Sequence, residues 1–298
     1  MSVLLMTVWL TGCVQEELGS TPSPAGNGIR FTLTVPDVNL PSVSSRTMTG
    51  AGTAKKEDEI ETVDILVFDA SKTPAVYLEW VTATGVTQDL ADNSTVSFSA
   101  KLPFTTASTC IVVVANRELD DIVSGFKKGV TTKVEAMEKM LHTQTGKWLA
   151  DGSTTGGYTR IPMYGEKVIN KITPSMEPIT GINMKRMLAR IDIHNNSVTS
   201  NFTVEEVYLA NYNTTGYIAP PWNTNGQVTE PAPDTPVLPA NSGKMTEEGD
   251  AILYSVKGNT PYDGEIYTFE SLAAEDAGGV GQDGEASRKD ATCLIVKG

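Results

Sequence analysis

The sequence predicts a mainly β protein built as two β-sandwiches in tandem, with one or two short helices in the first. Three observations lead there. Apolar and polar residues alternate with period two in short runs, most clearly at Ile29, Phe31, Leu33 and Val35 and at Val96, Phe98, Ala100 and Leu102. Stretches rich in Gly, Pro, Thr and Ser separate these runs, and few segments carry helical periodicity. The length of 298 residues corresponds to about two domains of roughly 150 residues, each large enough to bury a core.

The chain opens with a short apolar run, Val3–Leu10, followed by Thr11-Gly12-Cys13. The run is too short to span a bilayer. Leu10-Thr11-Gly12-Cys13 resembles the lipobox of bacterial lipoproteins, in which the cysteine takes a diacylglycerol and a fatty acid such as palmitate. On that resemblance residues 1–12 are a signal peptide, Cys13 is the lipid attachment site and 13–28 are a flexible tether. A lipid on a tether holds a domain at a membrane without a spanning helix. No Lys or Arg precedes the apolar run, although a signal peptide carries a basic start, so the true start is expected upstream. Glu16-Glu17 after the cysteine resemble the surface-export signal of lipoproteins in Bacteroides-type bacteria.

The first strand is expected over Ile29–Val35. Its four apolar side chains would contribute about 6–12 kcal/mol gross on burial. It is followed by Ser44-Ser45-Arg46-Thr47-Met48-Thr49-Gly50, a small polar run of the kind proteases nick. A strand the fold needs is thus tied on by a cuttable link. Ile60–Asp69 and Cys110–Ala115 are continuous apolar runs, the mark of strands covered on both faces. Val76–Thr82, Val96–Leu102 and Ile161–Ile169 complete the strands of the first block. Leu119–Gly125 reads as a short helix. Thr132-Lys133-Val134-Glu135 fits a capping box, with Val134, Met137, Met140 and Leu141 as its apolar stripe. Thr173–Gly181, with Pro174 and Pro178, reads as the boundary between a domain of residues 29–180 and one of 181–298. In the latter, Met187–Ile193, Phe202–Ala210, Ala251–Val256, Glu265–Phe269 and Thr292–Val296 are strands. Pro220–Pro239 and Ala273–Lys289 are loops.

Charge and composition narrow the function. A formal net charge of −13 and a pI near 4.6 disfavour nucleic acid as a partner. Two His and three Cys leave little for metal or thiol chemistry. His142 and His194 lack ligands at metal spacing and read as surface or capping residues. Cys110 and Cys293 read as buried thiols in separate blocks. Gly281–Glu285 lacks the ligand spacing of a calcium loop. No cofactor and no catalytic residues are expected, and the chain is not expected to be an enzyme.

Ile161-Pro162-Met163-Tyr164-Gly165-Glu166 and Lys185-Arg186-Met187-Leu188-Ala189-Arg190-Ile191-Asp192-Ile193 carry a family resemblance. With the lipobox, Arg46-Thr47, the Glu59–Phe68 strand and the Ile111–Asn116 strand ending in Ala-Asn, they resemble the fimbrillin family, the major and minor subunits of type V pili of Bacteroides-type bacteria. The resemblance implies two transthyretin-like β-sandwich domains, exported as an outer-membrane lipoprotein precursor. It implies cleavage by an Arg-specific surface protease after Arg46, giving a new start at Thr47 and removing residues 29–46 with Ile29, Phe31, Leu33 and Val35. A strand from the next subunit then fills the groove, building a fimbria of this and accessory subunits that serves adhesion and biofilm formation on host or bacterial surfaces. The family continues past the strand at Thr292–Val296, so the chain is expected to be truncated at Gly298, its second sandwich incomplete and its donor strand unidentified.

A second reading is a non-polymerising surface lipoprotein, either a pilus anchor or tip or a glycan-binding module. There Trp80, Trp148 and Trp222, or Tyr212 and Tyr217, would offer aromatic faces to a sugar.

Overall fold

The computed structural model describes residues 28–35, 58–89, 95–144, 146–148, 160–193, 201, 204–219, 221, 237–240, 242, 251–255, 262–271 and 291–298. Cys13, Arg46, Thr47, His194, Trp222 and Gly281–Glu285 lie outside them. Strands dominate. In order they are β1 (Ile29–Thr34), β2 (Val63–Asp69), β3 (Val76–Thr82), β4 (Thr84–Gln88), β5 (Thr95–Ala100) and β6 (Thr109–Ala115). The helices α1 (Asp120–Val123) and α2 (Lys133–Met137) follow. Then come β7 (Leu141–Thr143), β8 (Met163–Ile169), β9 (Ile179–Asn183), β10 (Lys185–Arg186), β11 (Leu188–Ile193) and β12 (Glu206–Ala210). The last are β13 (Thr215–Tyr217), β14 (Ile252–Ser255), β15 (Tyr262–Phe269) and β16 (Cys293–Lys297).

Two sheets make the first block, one ordered β4-β5-β1-β9 and the other β10-β8-β6-β2-β3. The alternating residues of β1 and β5 point into the space between them and meet Val63, Ile65, Val67, Ile111, Val113 and Met163 from the facing sheet. The continuous apolar runs in β2 and β6 have their reason on the other face. Leu66, Phe68, Cys110, Val112 and Val114 point outward into a second buried cluster with Leu119, Ala136, Met137, Met140 and Trp148. Ile218, Ala219, Tyr267 and Phe269, from much later in the chain, close that cluster. The later strands form β11-β15 and β14-β12-β16 around a smaller core of Val204, Val207, Leu209, Tyr212 and Ile266. A short antiparallel ladder, β7-β13, ties residues 141–143 to 215–217.

α2 starts at the expected capping box. Thr132 Oγ1 accepts from Glu135 N at 3.2 Å, and Thr132 N donates to Glu135 Oε2 at 2.8 Å. The helix is shorter than its stripe suggested, and Leu141 belongs to β7. Its buried face includes Lys133 in place of Val134. The Lys133 ammonium sits 2.8 Å from Glu166 Oε2, with both side chains 1% exposed. Pairing is what makes two buried charges tolerable.

The segment read as an interdomain boundary is structured. β9 pairs with β1, and β10 pairs with β8, so both belong to the sheets of the first block. The expected break at 180–181 falls inside β9. A bulge at Gly181, which has φ +71°, hides the strand by breaking its alternation. β4, β7 and β13 were also not anticipated, being short and largely polar.

Candidate functional site

The feature that stands out is the place β1 takes in its sheet. Although first in sequence, it is an interior strand. On one side it pairs antiparallel with β5 through six consecutive residues, Ile29 opposite Ala100 to Thr34 opposite Thr95. On the other it runs parallel to β9, with Phe31 beside Ile179 and Leu33 beside Ile182. Thr34 O also accepts from Met184 N at 2.8 Å.

The expected removable residues are brought together as one apolar face. Ile29 is 5% exposed, Phe31 1%, Leu33 0% and Val35 1%. The Phe31 ring stacks on Phe98 of β5 with centroids 4.9 Å apart and planes 7° from parallel. Taking β1 away would therefore uncover two strand edges and an apolar slot floored by Ile65, Val67, Ile111 and Val113. Such a slot accepts an extended chain.

Residues 58–61, just before β2, are fastened to the body by hydrogen bonds and ion pairs that do not involve β1. Asn116, just past β6, has φ +59°, a left-handed conformation that Asn adopts more readily than most residues. Its side-chain amide donates to Glu59 O at 2.8 Å and Ile161 O at 3.0 Å, and its Oδ1 accepts from Glu61 N at 3.0 Å. Gln88 Nε2 donates to Asp58 O at 2.7 Å, and Ile60 N donates to Gln88 Oε1 at 3.0 Å. Arg186 pairs with Asp58, and Arg160 pairs with Glu59 and Glu61. These hydrogen bonds and ion pairs of residues 58–61 are made without residues 29–35. The expected cleavage point, Arg46-Thr47, lies in the segment between β1 and this clamp and outside the described residues.

The family model described as major fimbrial subunit protein (FimA) matches residues 29–180. The chain belongs to this family. The match starts at the first residue of β1 and ends at the second of β9, so it spans the block that carries the slot. No curated protein matches the chain. Among solved structures it is similar to a fimbrial assembly protein from Parabacteroides distasonis, at 11% identity over 84% of this chain and 78% of that one, with a TM-score of 0.42. It is also similar to a protein described as a candidate cell adhesion protein from the same organism, at 19% identity over 84% of this chain and 73% of that one, with a TM-score of 0.45.

A fimbrial subunit works at the cell surface among other fimbrial subunits, and the remaining groups of this one read as structure. Trp148 and Tyr212 are 4% and 5% exposed, so neither offers a face to a sugar. Trp80 is half-buried on β3 and packs beside the second cluster, and Tyr217 is half-buried in the β7-β13 ladder. His142 is not the surface group expected. It lies in β7 with its ring edge-on to Trp148, centroids 5.1 Å apart, and tilted against Phe269 at 6.5 Å. Burial, and secondarily the Arg117 charge, hold its pKa below the usual imidazole value. Sequence reasoning missed this because Phe269 comes from much later in the chain, and nothing in the sequence says that the nearby Trp148 packs back on the ring. Cys110 is a buried free thiol, pushed up to about 12 by burial and by Glu166, which makes it unreactive. Cys293 is free but exposed, correcting the expectation of a buried thiol. It sits on β16, an edge strand of its sheet. Among the described residues no group of His, Cys, Asp and Glu is arranged to hold a metal ion.

Proposed function

We propose that this protein is a fimbrial subunit precursor that polymerises by exchanging its first strand. It is exported as a lipoprotein held in the outer membrane through Cys13. An Arg-specific surface protease cuts between Arg46 and Thr47, and residues up to Arg46 leave with β1. A strand from the next subunit then enters the slot between β5 and β9, building a fimbria of this and accessory subunits for adhesion and biofilm formation. The strands from β11 onward contribute a second sandwich to each subunit.

The observation that carries this reading is the combination of an interior strand with a chain clamped behind it. Cutting within 36–57 frees β1 from the chain while Asp58 and β2 stay fixed. Before and after exchange the slot is full, so the equilibrium cost of replacing one strand by an equivalent one is small. The barrier is large, because β1 has to surrender both edges and its four apolar side chains. A joint made this way is long-lived for the same reason.

The test is Arg46→Ala in the producing cell. The substituted protein should be exported and folded but remain monomeric, while wild type forms a ladder of oligomers after shearing. A ladder of undiminished length from the Arg46→Ala protein would contradict the reading. It would favour maturation elsewhere, or assembly without strand removal.

A further inference from the structure

The slot carries its own register mark. Alternation by itself does not fix which residue of an incoming strand lies where, because a slide of two residues keeps every apolar side chain on the same face. Ile29 faces Ala100, Leu33 faces Val96, and only the position between them faces an aromatic ring. There Phe31 lies flat over Phe98, with both rings almost fully buried at 1% and 3% exposure. On the opposite edge, β9 passes from the Ile179 contact to the Ile182 contact through the bulge at Gly181. That bulge sits beside the same stretch and breaks the two-residue repeat on that side. A strand displaced by two residues would set an aliphatic side chain on Phe98, push its own ring toward Ala100 or Val96, and miss the bulge.

We propose that Phe98 is the specificity- and register-determining residue of the slot. The strand it accepts is an extended peptide with a planar aromatic side chain opposite Phe98 and aliphatic side chains two positions to either side. This rests on the reading that the slot is emptied and refilled. The chemistry is that of offset aromatic stacking in a dry site, added to the area each side chain buries.

The experiment uses the full chain with a specific protease site placed between residues 47 and 57, so that it does not depend on cutting at Arg46. After cutting, labelled seven-residue peptides are offered in excess and their uptake is followed by native mass spectrometry. The Ile29–Val35 peptide should enter. Its Phe31→Ala version should bind at least about thirtyfold more weakly. A peptide with the aromatic moved by two positions should be as weak as the Ala version. The Phe31→Leu peptide should lose about two- to tenfold against wild type, and Phe98→Leu in the protein should abolish that difference. In the uncut chain, Phe31→Leu and Phe98→Leu should show a matching coupling in the unfolding equilibrium constant, which gives a readout even where exchange is slow.

Equal uptake of the original and the shifted peptide would overturn the proposal while leaving strand exchange intact, and so would an absence of coupling. Failure of every peptide to enter, both on long incubation and when the cut protein is unfolded and refolded with the peptide in excess, would remove strand exchange, and the proposal with it.

Discussion

Asn116 shows how one side chain can hold a junction. Its left-handed backbone and three hydrogen bonds fix the entry to β2 and the entry to β8 at once. Asn116→Ala should destabilise the protein by roughly 1–3 kcal/mol, combining three lost, partly exposed hydrogen bonds with a side chain forced into a left-handed conformation. Asn116→Gly should recover only the backbone share. Denaturant midpoints at constant m-value would show both. The Ala-Asn end of this strand was visible in the sequence, but its three partners, Glu59, Glu61 and Ile161, come from elsewhere in the chain. His142 was harder to read, because Phe269, one of the two rings packed against it, comes from far along the chain. Its folded pKa lies below the unfolded value of about 6.5, so the unfolded chain binds the proton more readily. Stability is then fully present above about pH 6.5 and falls as the pH drops below it. His142→Phe should flatten that part of the stability-pH curve, as thermal melts between pH 7 and 5 would show.

Strands were legible in proportion to how regular they are. The alternation in β1 and β5 and the continuous runs in β2 and β6 foretold both position and burial, because those patterns follow from one covered face and two covered faces respectively. β9 was hidden by two nearby prolines and by the bulge at Gly181, and with it the slot's second edge. The meaning of the Tyr164-Gly165-Glu166 stretch was hidden too. A Cβ at Gly165 would stand 2.7 Å from Asn183 O and 2.9 Å from Ile182 Cγ2, so β8 can lie against the end of β9 only with glycine there. Gly165→Ala should cost roughly 1–3 kcal/mol through this overlap, measured on the purified chain. β1 gives the element's own prediction. Leu33→Ala should destabilise the uncut precursor by roughly 2–5 kcal/mol. If β1 is exchanged as proposed, it should leave a finished fimbria unchanged, since the substituted strand would no longer be in it. Heat or denaturant resistance of the two materials would separate those outcomes.

For the molecule as a whole, family membership and β architecture were readable from the order of the motifs, while the way the chain closes on itself was not. The outer face of the β2-β6 sheet is buried partly by Ile218, Ala219, Tyr267 and Phe269, residues whose apolar character carries no sign of where they dock. That arrangement matters for the proposed assembly. The facing sheet, which holds β1, is left as the one that changes occupants, while β2 and β6 are covered on both sides and stay fixed. A formal net charge of −12 over residues 47–298 would give neighbouring subunits a mutual repulsion that inserted strands have to outweigh. Fimbriae sheared at high salt should therefore be at least as resistant to dissociation as those sheared at low salt. Whether β1 is discarded is decided by the intact mass and N-terminal sequence of the protein sheared from the producing cell. A start at Thr47, without lipid, in material that runs as a ladder, is the result that strand exchange predicts. A start at a lipidated Cys13, with β1 still attached in monomeric protein, would contradict it.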